Sequence, residues 1–502
     1  MPRRVALPLL TVLVAGPFAL AFKSGGYYDE PRLYAGFTAC ALVVIAALAS
    51  RRPLPQSAPG RMALAGLAVL TVWGALSIAW APLSTPAVAD ADRLLLYLAG
   101  FVAALAVLDS RAAVRALEPA LALGCVTVIA YGLSERVLPG LFELTHDRSA
   151  FGRLSQPLSY WNAMGTVGAL GFVLAARVAG DSTRLPWMRG LAAASAAPLG
   201  VGIYLTLSRG ALAALVVGLV LIGLLARDRA QLRAVALMVA AGVLASICGG
   251  LLDGVRVLGG DLATREREGA LMLAVLVLLG AGCGFAQLRL SRRDRSPAMR
   301  FRPLGRGGRR LVAVGFSALV VAAFAAPAVL SERKPKAVPA AVGTSRLTST
   351  ASNRYEYWRV ALRAFADNPL KGTGSGGFAV VWLRERQIPE TVRDAHSLYL
   401  ETAAELGLVG LAALAAFLGG IGWSAARAYS HDPVAAAGLV AGVSVWAVQA
   451  GLDWLWEMPA VSLPVLLLAA GIARRAEAPP AALRATEEPA IDSALARATG
   501  VP

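Results

Sequence analysis

LSRGALAALVVGLVLIGLLA, residues 207–226, indicates the class of fold to expect. After Arg209, this stretch contains no charged residue as far as Ala226. An α-helix needs about 17–25 mostly apolar residues to cross the hydrocarbon core of a bilayer. The stretch therefore predicts a membrane-spanning helix over 210–226, with the cation of Arg209 at its beginning.

The rest of the chain repeats this pattern. Of the 502 residues, 57% are hydrophobic and 16% are charged, and the mean hydropathy is +0.62. These values are typical of polytopic membrane proteins and not of soluble globular domains. We predict an all-α polytopic membrane protein with about 12–14 transmembrane helices and one large extracytoplasmic loop that contains short helices. Candidate spans lie near 5–22, 33–49, 62–80, 94–108, 119–134, 161–176, 190–207, 210–226, 234–252, 269–288, 311–330, 397–424, 434–452 and 459–473.

The charge distribution predicts how the chain is oriented. The net charge of +17 comes mainly from short loops between apolar spans, as membrane orientation requires, so we expect no nucleic-acid partner. The segment 289–310 carries nine arginines, which places it in the cytoplasm. Both termini are then cytoplasmic, and the long loop 331–396 lies outside.

These spans and loops divide the chain into four segments. We expect an N-terminal bundle of about eleven spans over 1–330, the extracytoplasmic loop over 331–396, further transmembrane helices over 397–474, and a disordered cytoplasmic tail over 475–502. The first span follows two arginines and resembles a signal peptide, and we interpret it as a retained anchor. No charged residue lies at the centre of a predicted span, which weighs against an ion-coupled transporter.

The outer loop contains an amphipathic pattern. Apolar residues recur with a helical period at Trp358, Ala361, Leu362 and Phe365, and Pro369 ends the pattern near Asn368. We expect Asn353 to cap this helix, with Glu356 reaching back to it. Arg354 lies on the apolar side of the helix, where a cation needs a partner. Both an anionic ligand and a structural ion pair remain open for it.

Two other features of the loop can be interpreted in more than one way. KGTGSGG, residues 371–377, matches a glycine-rich nucleotide motif, but a proline and a helix precede it instead of a strand. A tight turn is the simpler interpretation, and a backbone nest for a phosphate or sugar is the alternative. His396 stands where the loop re-enters the membrane, either as a polar anchor or as a general base.

Arg209 lies outside the cytoplasm, at the edge of the hydrocarbon. Its side chain either snorkels towards water or binds a phosphate.

Three segments together resemble the O-antigen ligase and O-antigen polymerase superfamily. They are LSRGAL (207–212), NRYEYWRVALRAFADNPLKGTGSGGF (353–378) and DAHSLYLETAAELGLVGL (394–411). They are similar to the family pattern of an arginine at an outer span edge, a glycine-containing loop, and a histidine that begins a span. Ser397 departs from the asparagine that usually follows the histidine.

This resemblance implies a glycosyltransferase of the bacterial cytoplasmic (inner) membrane, with its site on the extracytoplasmic face. The donor would be a glycan on undecaprenyl diphosphate, and the acceptor a hydroxyl of a glycan, lipid or protein. The resemblance also implies inversion at the anomeric carbon, with neither metal nor cofactor. An O-antigen polymerase of the same superfamily is the alternative, and a membrane transporter is the alternative from another class.

Site residues follow from the same resemblance. His396 would be the catalytic base, and Arg209 and Arg354 would bind the diphosphate. The possible substrate-lining residues are Tyr355, Trp358, Gly374, Gly376, Ser397 and Tyr399.

Overall fold

The computed structural model describes residues 1, 3–50, 52–146, 148–294 and 352–477. Helices make up this part of the chain, and no β-strand occurs in it. The helices are α1 (Arg3–Ala21), α2 (Asp29–Ala49), α3 (Ala58–Ser77), α4 (Ser84–Val107), α5 (Arg111–Val137), α6 (Trp161–Gly180), α7 (Pro186–Ala194), α8 (Ala196–Leu205), α9 (Arg209–Leu225), α10 (Arg229–Leu251), α11 (Asp253–Arg256), α12 (Leu262–Arg293), α13 (Arg354–Asp367), α14 (Phe378–Glu385), α15 (Leu398–His431), α16 (Pro433–Ala450) and α17 (Pro459–Arg475).

The structure confirms the predicted class of fold, an all-α polytopic membrane protein. Among the described residues, ten helical segments are long and apolar enough to cross a membrane, and α9 is a shorter apolar helix. A helix coincides with every predicted span except 311–330, which lies outside the described residues. The predicted tail, 475–502, is described only as far as Glu477.

Several helices extend beyond the predicted spans, and α4 shows this most clearly. The fourth span was expected to begin at residue 94, but α4 begins at Ser84. Asp90, Asp92 and Arg93 gave its first turns the composition of a loop. Arg93 therefore lies within a helix, where it is buried and paired with Asp90 at 2.9 Å.

Helix α6 is the centre of the bundle. From Asn162 to Gly180 every residue is buried, and the helix packs against α5, α8, α9 and α16. Its sequence is apolar on all sides, as expected for a helix that is surrounded by others. Close packing of small residues, which holds membrane helices together, also joins α3 to α15. There, a methyl group on Gly66 would lie only 2.4 Å from the backbone nitrogen of Phe417.

The loop before α15 has a small apolar core of its own. Helices α13 and α14 contribute Tyr357, Trp358, Phe378 and Trp382, and the beginning of α15 contributes Leu400. The predicted helix is thus confirmed as α13, and it ends at Asp367. This core holds the loop against the first turns of α15.

The predicted cap of α13 was wrong. Asn353 has helical backbone angles and makes no side-chain cap. Its amide nitrogen donates to Glu390 at 2.7 Å, and Glu356 accepts from Arg359 at 2.8 Å. Both side chains find charged partners in the folded loop, and these replace the expected local hydrogen bonds.

Candidate active site

His396 lies in the segment between α14 and α15, just before α15 begins. Its φ of +55° is in the left-handed region, which a residue with a side chain occupies only where its surroundings hold it. Nδ1 of the ring lies 3.0 Å from the carbonyl oxygen of Asp394. Since a carbonyl only accepts, Nδ1 carries the proton and Nε2 keeps its lone pair. In the described part of the chain, Nε2 has no hydrogen-bond partner.

Aromatic rings surround this imidazole. The ring of Tyr357 lies 5.0 Å from that of His396, and the ring of Trp454 lies 6.4 Å away, between centroids. The indole nitrogen of Trp358 donates to the carbonyl oxygen of His396 at 3.5 Å. Burial lowers the pKa of His396 below its ordinary value, because a charged imidazolium loses its hydration there. The histidine is therefore kept in its neutral form.

Arg354 joins the site through an acidic residue that follows α16. Its guanidinium lies 2.7 Å from a carboxylate oxygen of Asp453, which is fully buried. The other oxygen of Asp453 accepts from the hydroxyl of Tyr160 at 2.8 Å. Of the two alternatives for Arg354, the structure thus contains the ion pair. The Arg354 side chain remains 25% exposed, so its other donors can still meet a ligand.

Arg209 begins α9 immediately after Ser208, whose hydroxyl accepts from the backbone nitrogen of Ala211 at 3.3 Å. The guanidinium of Arg209 is half-buried and has no ion pair or hydrogen bond within the described residues. It is close enough to Arg354 for the two positive charges to act on each other. Guanidinium groups bind phosphates well, so the role of Arg209 and Arg354 in binding a diphosphate stays a prediction.

Residues 257–415 match the family model described as O-antigen ligase. This part of the chain is similar to the O-antigen ligase family. No curated protein matches the chain. The family supports an activity of the O-antigen ligase or polymerase type, with a lipid-linked glycan and an acceptor as partners in a membrane. The match includes Arg354 and His396, whereas Arg209 and Asp453 lie outside it and reach the site through folding.

The glycine-rich loop packs against α15. The backbone nitrogens of Gly376 and Phe378 each donate to the carboxylate of Glu405 at 3.0 Å. The backbone nitrogen of Gly374 donates to the carbonyl oxygen of Glu405 at 2.8 Å. These amides have partners and form a tight turn, so they are not available as a nest for an anion. Gly374 and Gly376 as substrate-lining residues stay predictions.

Glycine is required in this turn for steric reasons. Gly372 has a φ of +67°, and a methyl group there would lie 2.3 Å from the backbone of Glu405. Glu405 is therefore a structural residue that joins the loop to the helix following His396.

The other predicted lining residues near His396 differ in how deeply they are buried and in whether their hydroxyl groups have a hydrogen-bond partner. Tyr355 is half-buried and has its ring 5.7 Å from that of Trp358. Tyr399 is buried, and its hydroxyl donates to the carbonyl oxygen of Ala447 at 2.8 Å. Ser397 is fully buried, and its hydroxyl has no hydrogen-bond partner among the described residues.

Two site residues were not predicted. Asp453 lies between α16 and α17, in the turn sequence LDWLWE (452–457), and Tyr160 immediately precedes α6. A carboxylate between two spans on the predicted outer face was the available signal for Asp453. No local pattern connects Tyr160 to the site, because only folding brings it to Asp453.

Proposed function

We propose that the chain transfers a glycan from undecaprenyl diphosphate to an acceptor hydroxyl, at the outer face of the bacterial cytoplasmic membrane. The observation that carries the proposal is a neutral histidine with a free Nε2 near Arg354, whose charge also acts on Arg209. A base and an anion site are what this reaction needs from a protein, since the sugar–diphosphate bond already supplies the energy.

In the proposed step, the acceptor oxygen attacks the anomeric carbon of the donor sugar. The bond between that carbon and the diphosphate oxygen breaks, and its electron pair stays on the diphosphate. Nε2 of His396 takes the hydroxyl proton, a role that typically contributes about 10²–10⁴-fold to the rate. Because attack comes from the face opposite the leaving group, the configuration at the anomeric carbon inverts.

The two arginines have different parts in this proposal. Arg209 has no carboxylate partner in the described chain, so it offers its full set of donors to the diphosphate. Arg354 is held by Asp453 and contributes its remaining donors and its charge. Negative charge on the leaving diphosphate grows as the bond breaks, and fixed cations stabilise that charge more in the transition state than before it.

Enzymes of this superfamily differ in the acceptor to which they transfer the glycan. A ligase would use a core sugar of lipopolysaccharide, a polymerase a second lipid-linked glycan, and an oligosaccharyltransferase a protein hydroxyl. Among these we propose the ligase-type transfer onto a fixed acceptor. Its product would carry one transferred glycan, whereas a polymerase would give a ladder of repeats.

The test uses the full chain in lipid nanodiscs, with a purified undecaprenyl-diphosphate glycan and each of the three acceptor types. Transfer and release of undecaprenyl diphosphate are measured together by mass spectrometry. His396→Gln should abolish transfer, while His431→Gln, at the far end of α15, should retain it. An inactive wild type with all acceptors would contradict the proposal, and so would full activity of His396→Gln.

A further inference from the structure

Three aromatic rings lead from the turn between α1 and α2 to His396. The ring of Tyr28 lies 5.5 Å from that of Tyr27, and the ring of Tyr27 lies 5.4 Å from that of Trp454, between centroids. Trp454 in turn lies 6.4 Å from the imidazole of His396 and 4.5 Å from the ring of Tyr160. We call Tyr27, Tyr28 and Trp454 the aromatic row. It brings a series of rings to the residue that would act as the base.

The row and the two arginines reach the site from different parts of the fold. Arg354, on α13, meets Asp453, which also accepts from the hydroxyl of Tyr160. Tyr27 instead precedes α2, and its hydroxyl accepts from the guanidinium of Arg393 at 3.5 Å. If the arginines hold the donor diphosphate as proposed, the Tyr27 end of the row is left for the second substrate.

The turn that carries the row has an unusual backbone. Ser24 has a φ of +51°, in the left-handed region that a residue with a side chain rarely adopts, and Gly25 and Gly26 follow at +71° and +76°. Such a conformation persists only where the surrounding structure holds it. Arg32, which is only 4% exposed, donates to the carbonyl oxygen of Tyr27 at 2.8 Å. The turn thus holds Tyr27 in place, which lowers the entropy cost of binding a ligand against its ring.

The row offers the groups that a sugar ring needs from a protein. Tyr28 is 63% exposed, and Tyr27 and Trp454 are half-buried. One side of a pyranose ring presents C–H groups, which pack against the electron-rich face of an aromatic ring. The hydroxyls at its edge can meet the tyrosine hydroxyls and the exposed guanidinium of Arg393. Tyrosines also lie at membrane surfaces without any ligand, and Tyr34, 66% exposed on α2 and outside the row, serves for comparison.

We propose that Tyr27, Tyr28 and Trp454 bind a sugar ring of the acceptor, next to the hydroxyl that His396 would deprotonate. This inference rests on the proposed function, and it makes the acceptor a glycan and not a protein. The acceptor hydroxyl has to contact His396, and the row ends beside that residue. The row takes no part in the chemical step and acts by positioning the acceptor.

Direct binding tests the site without requiring transfer. The full chain in lipid nanodiscs is mixed with a lipid-free core oligosaccharide of lipopolysaccharide, and binding is followed by saturation-transfer NMR. Tyr28→Ala and Tyr27→Leu should each weaken binding by about 3–10-fold, which corresponds to the loss of one aromatic contact. Tyr28→Phe keeps the ring and should bind nearly as well as the wild type. Tyr34→Ala is the matched control, since Tyr34 is equally exposed, and it should leave binding unchanged.

Steady-state transfer kinetics separate the acceptor from the donor. Tyr28→Ala should raise the KM for the acceptor by the same factor as it weakens binding, while kcat and the KM for the donor stay as in the wild type. A rise in the donor KM alone would assign the row to the donor glycan and overturn the proposal. Substitution of Trp454 is avoided, because its ring also packs against Tyr160 and its loss risks misfolding.

Failure of this inference is distinguishable from failure of the proposed function. Oligosaccharide binding that depends on Tyr27 and Tyr28, in a chain that transfers no glycan, would overturn the transfer and keep the binding site. Transfer with the same acceptor KM in Tyr28→Ala, Tyr27→Leu and the wild type would overturn the binding site alone. Absence of saturation transfer to the oligosaccharide would also overturn it. So would equal losses of binding in Tyr28→Ala and Tyr34→Ala, which would assign these tyrosines to the membrane surface.

Discussion

The backbone carbonyl of Asp394 lies 3.0 Å from Nδ1 of His396, and this contact fixes which ring nitrogen can accept a proton. The ring is left with Nε2 as its only base. Because the partner is a backbone carbonyl, substitution of the Asp394 side chain leaves this bond possible. The orientation of the base is therefore a property of the loop conformation.

The pH dependence of transfer should report the low pKa of His396. Burial disfavours the imidazolium, so the neutral base persists below the ordinary histidine value of about 6.5. As pH falls, activity should decline only once it passes below that value, because protonation removes the base. The acidic limb of kcat/KM, measured in nanodiscs, checks this. Asp453→Asn should move that limb to still lower pH, since Asp453 favours the charged form. A limb above the ordinary value would contradict the assignment.

Arg209 should be needed for its shape as well as its charge. Arg209→Ala removes a fixed donor to the leaving diphosphate and should lower kcat by about 10²–10³-fold, as loss of one oxyanion donor does. Arg209→Lys keeps the charge but loses the forked geometry, so it should recover only part of the rate. Single-turnover kinetics measure both. Arg363→Ala, an exposed arginine of α13, is the matched control and should have no effect. Equal rates for Arg209→Lys and the wild type would show that only charge matters.

The pair of Arg354 and Asp453 should show strong coupling in stability. Arg354→Gln leaves the fully buried Asp453 without its cation and should cost about 3 kcal/mol. Asp453→Asn should cost less, because Arg354 is 25% exposed and can reach water. The double variant should be less destabilised than the sum of the single variants, because neither charge is then left alone. Denaturation of the four proteins under one condition provides the cycle, and strict additivity would argue against the ion pair.

The membrane helices were predictable from the sequence because their signal is local. A run of about 20 apolar residues predicts a span without reference to any other part of the chain. The signal weakens where a span contains charges, which is why the first turns of α4 were missed around Arg93. Asn353 shows the opposite case. The local sequence predicted that it would cap α13, but its side chain forms a hydrogen bond with Glu390 instead.

The site was predictable only in part, for the same reason. His396 and Arg209 lie at the ends of apolar runs, and Arg354 lies on the apolar side of an amphipathic helix, so position and family pattern single them out. Asp453 and Tyr160 are separated by hundreds of residues yet share a hydrogen bond of 2.8 Å. Their role depends on the packing of α6 beside α16, which no short motif encodes.

The glycine turn should be essential to the fold and tolerate no side chain at Gly372. Its φ of +67° disfavours alanine, and the added methyl would lie 2.3 Å from the backbone of Glu405, which cannot move without distorting α15. Gly372→Ala should therefore destabilise the protein by more than 1 kcal/mol, roughly the combined effect of strain and overpacking. The thermal midpoint in detergent measures this. Gly422→Ala is the matched control, since Gly422 lies within α15 with no atom within 4 Å of an added methyl, and it should be neutral or slightly stabilising. The structure has this turn packed against α15, and equal thermal midpoints for the two variants would contradict that packing.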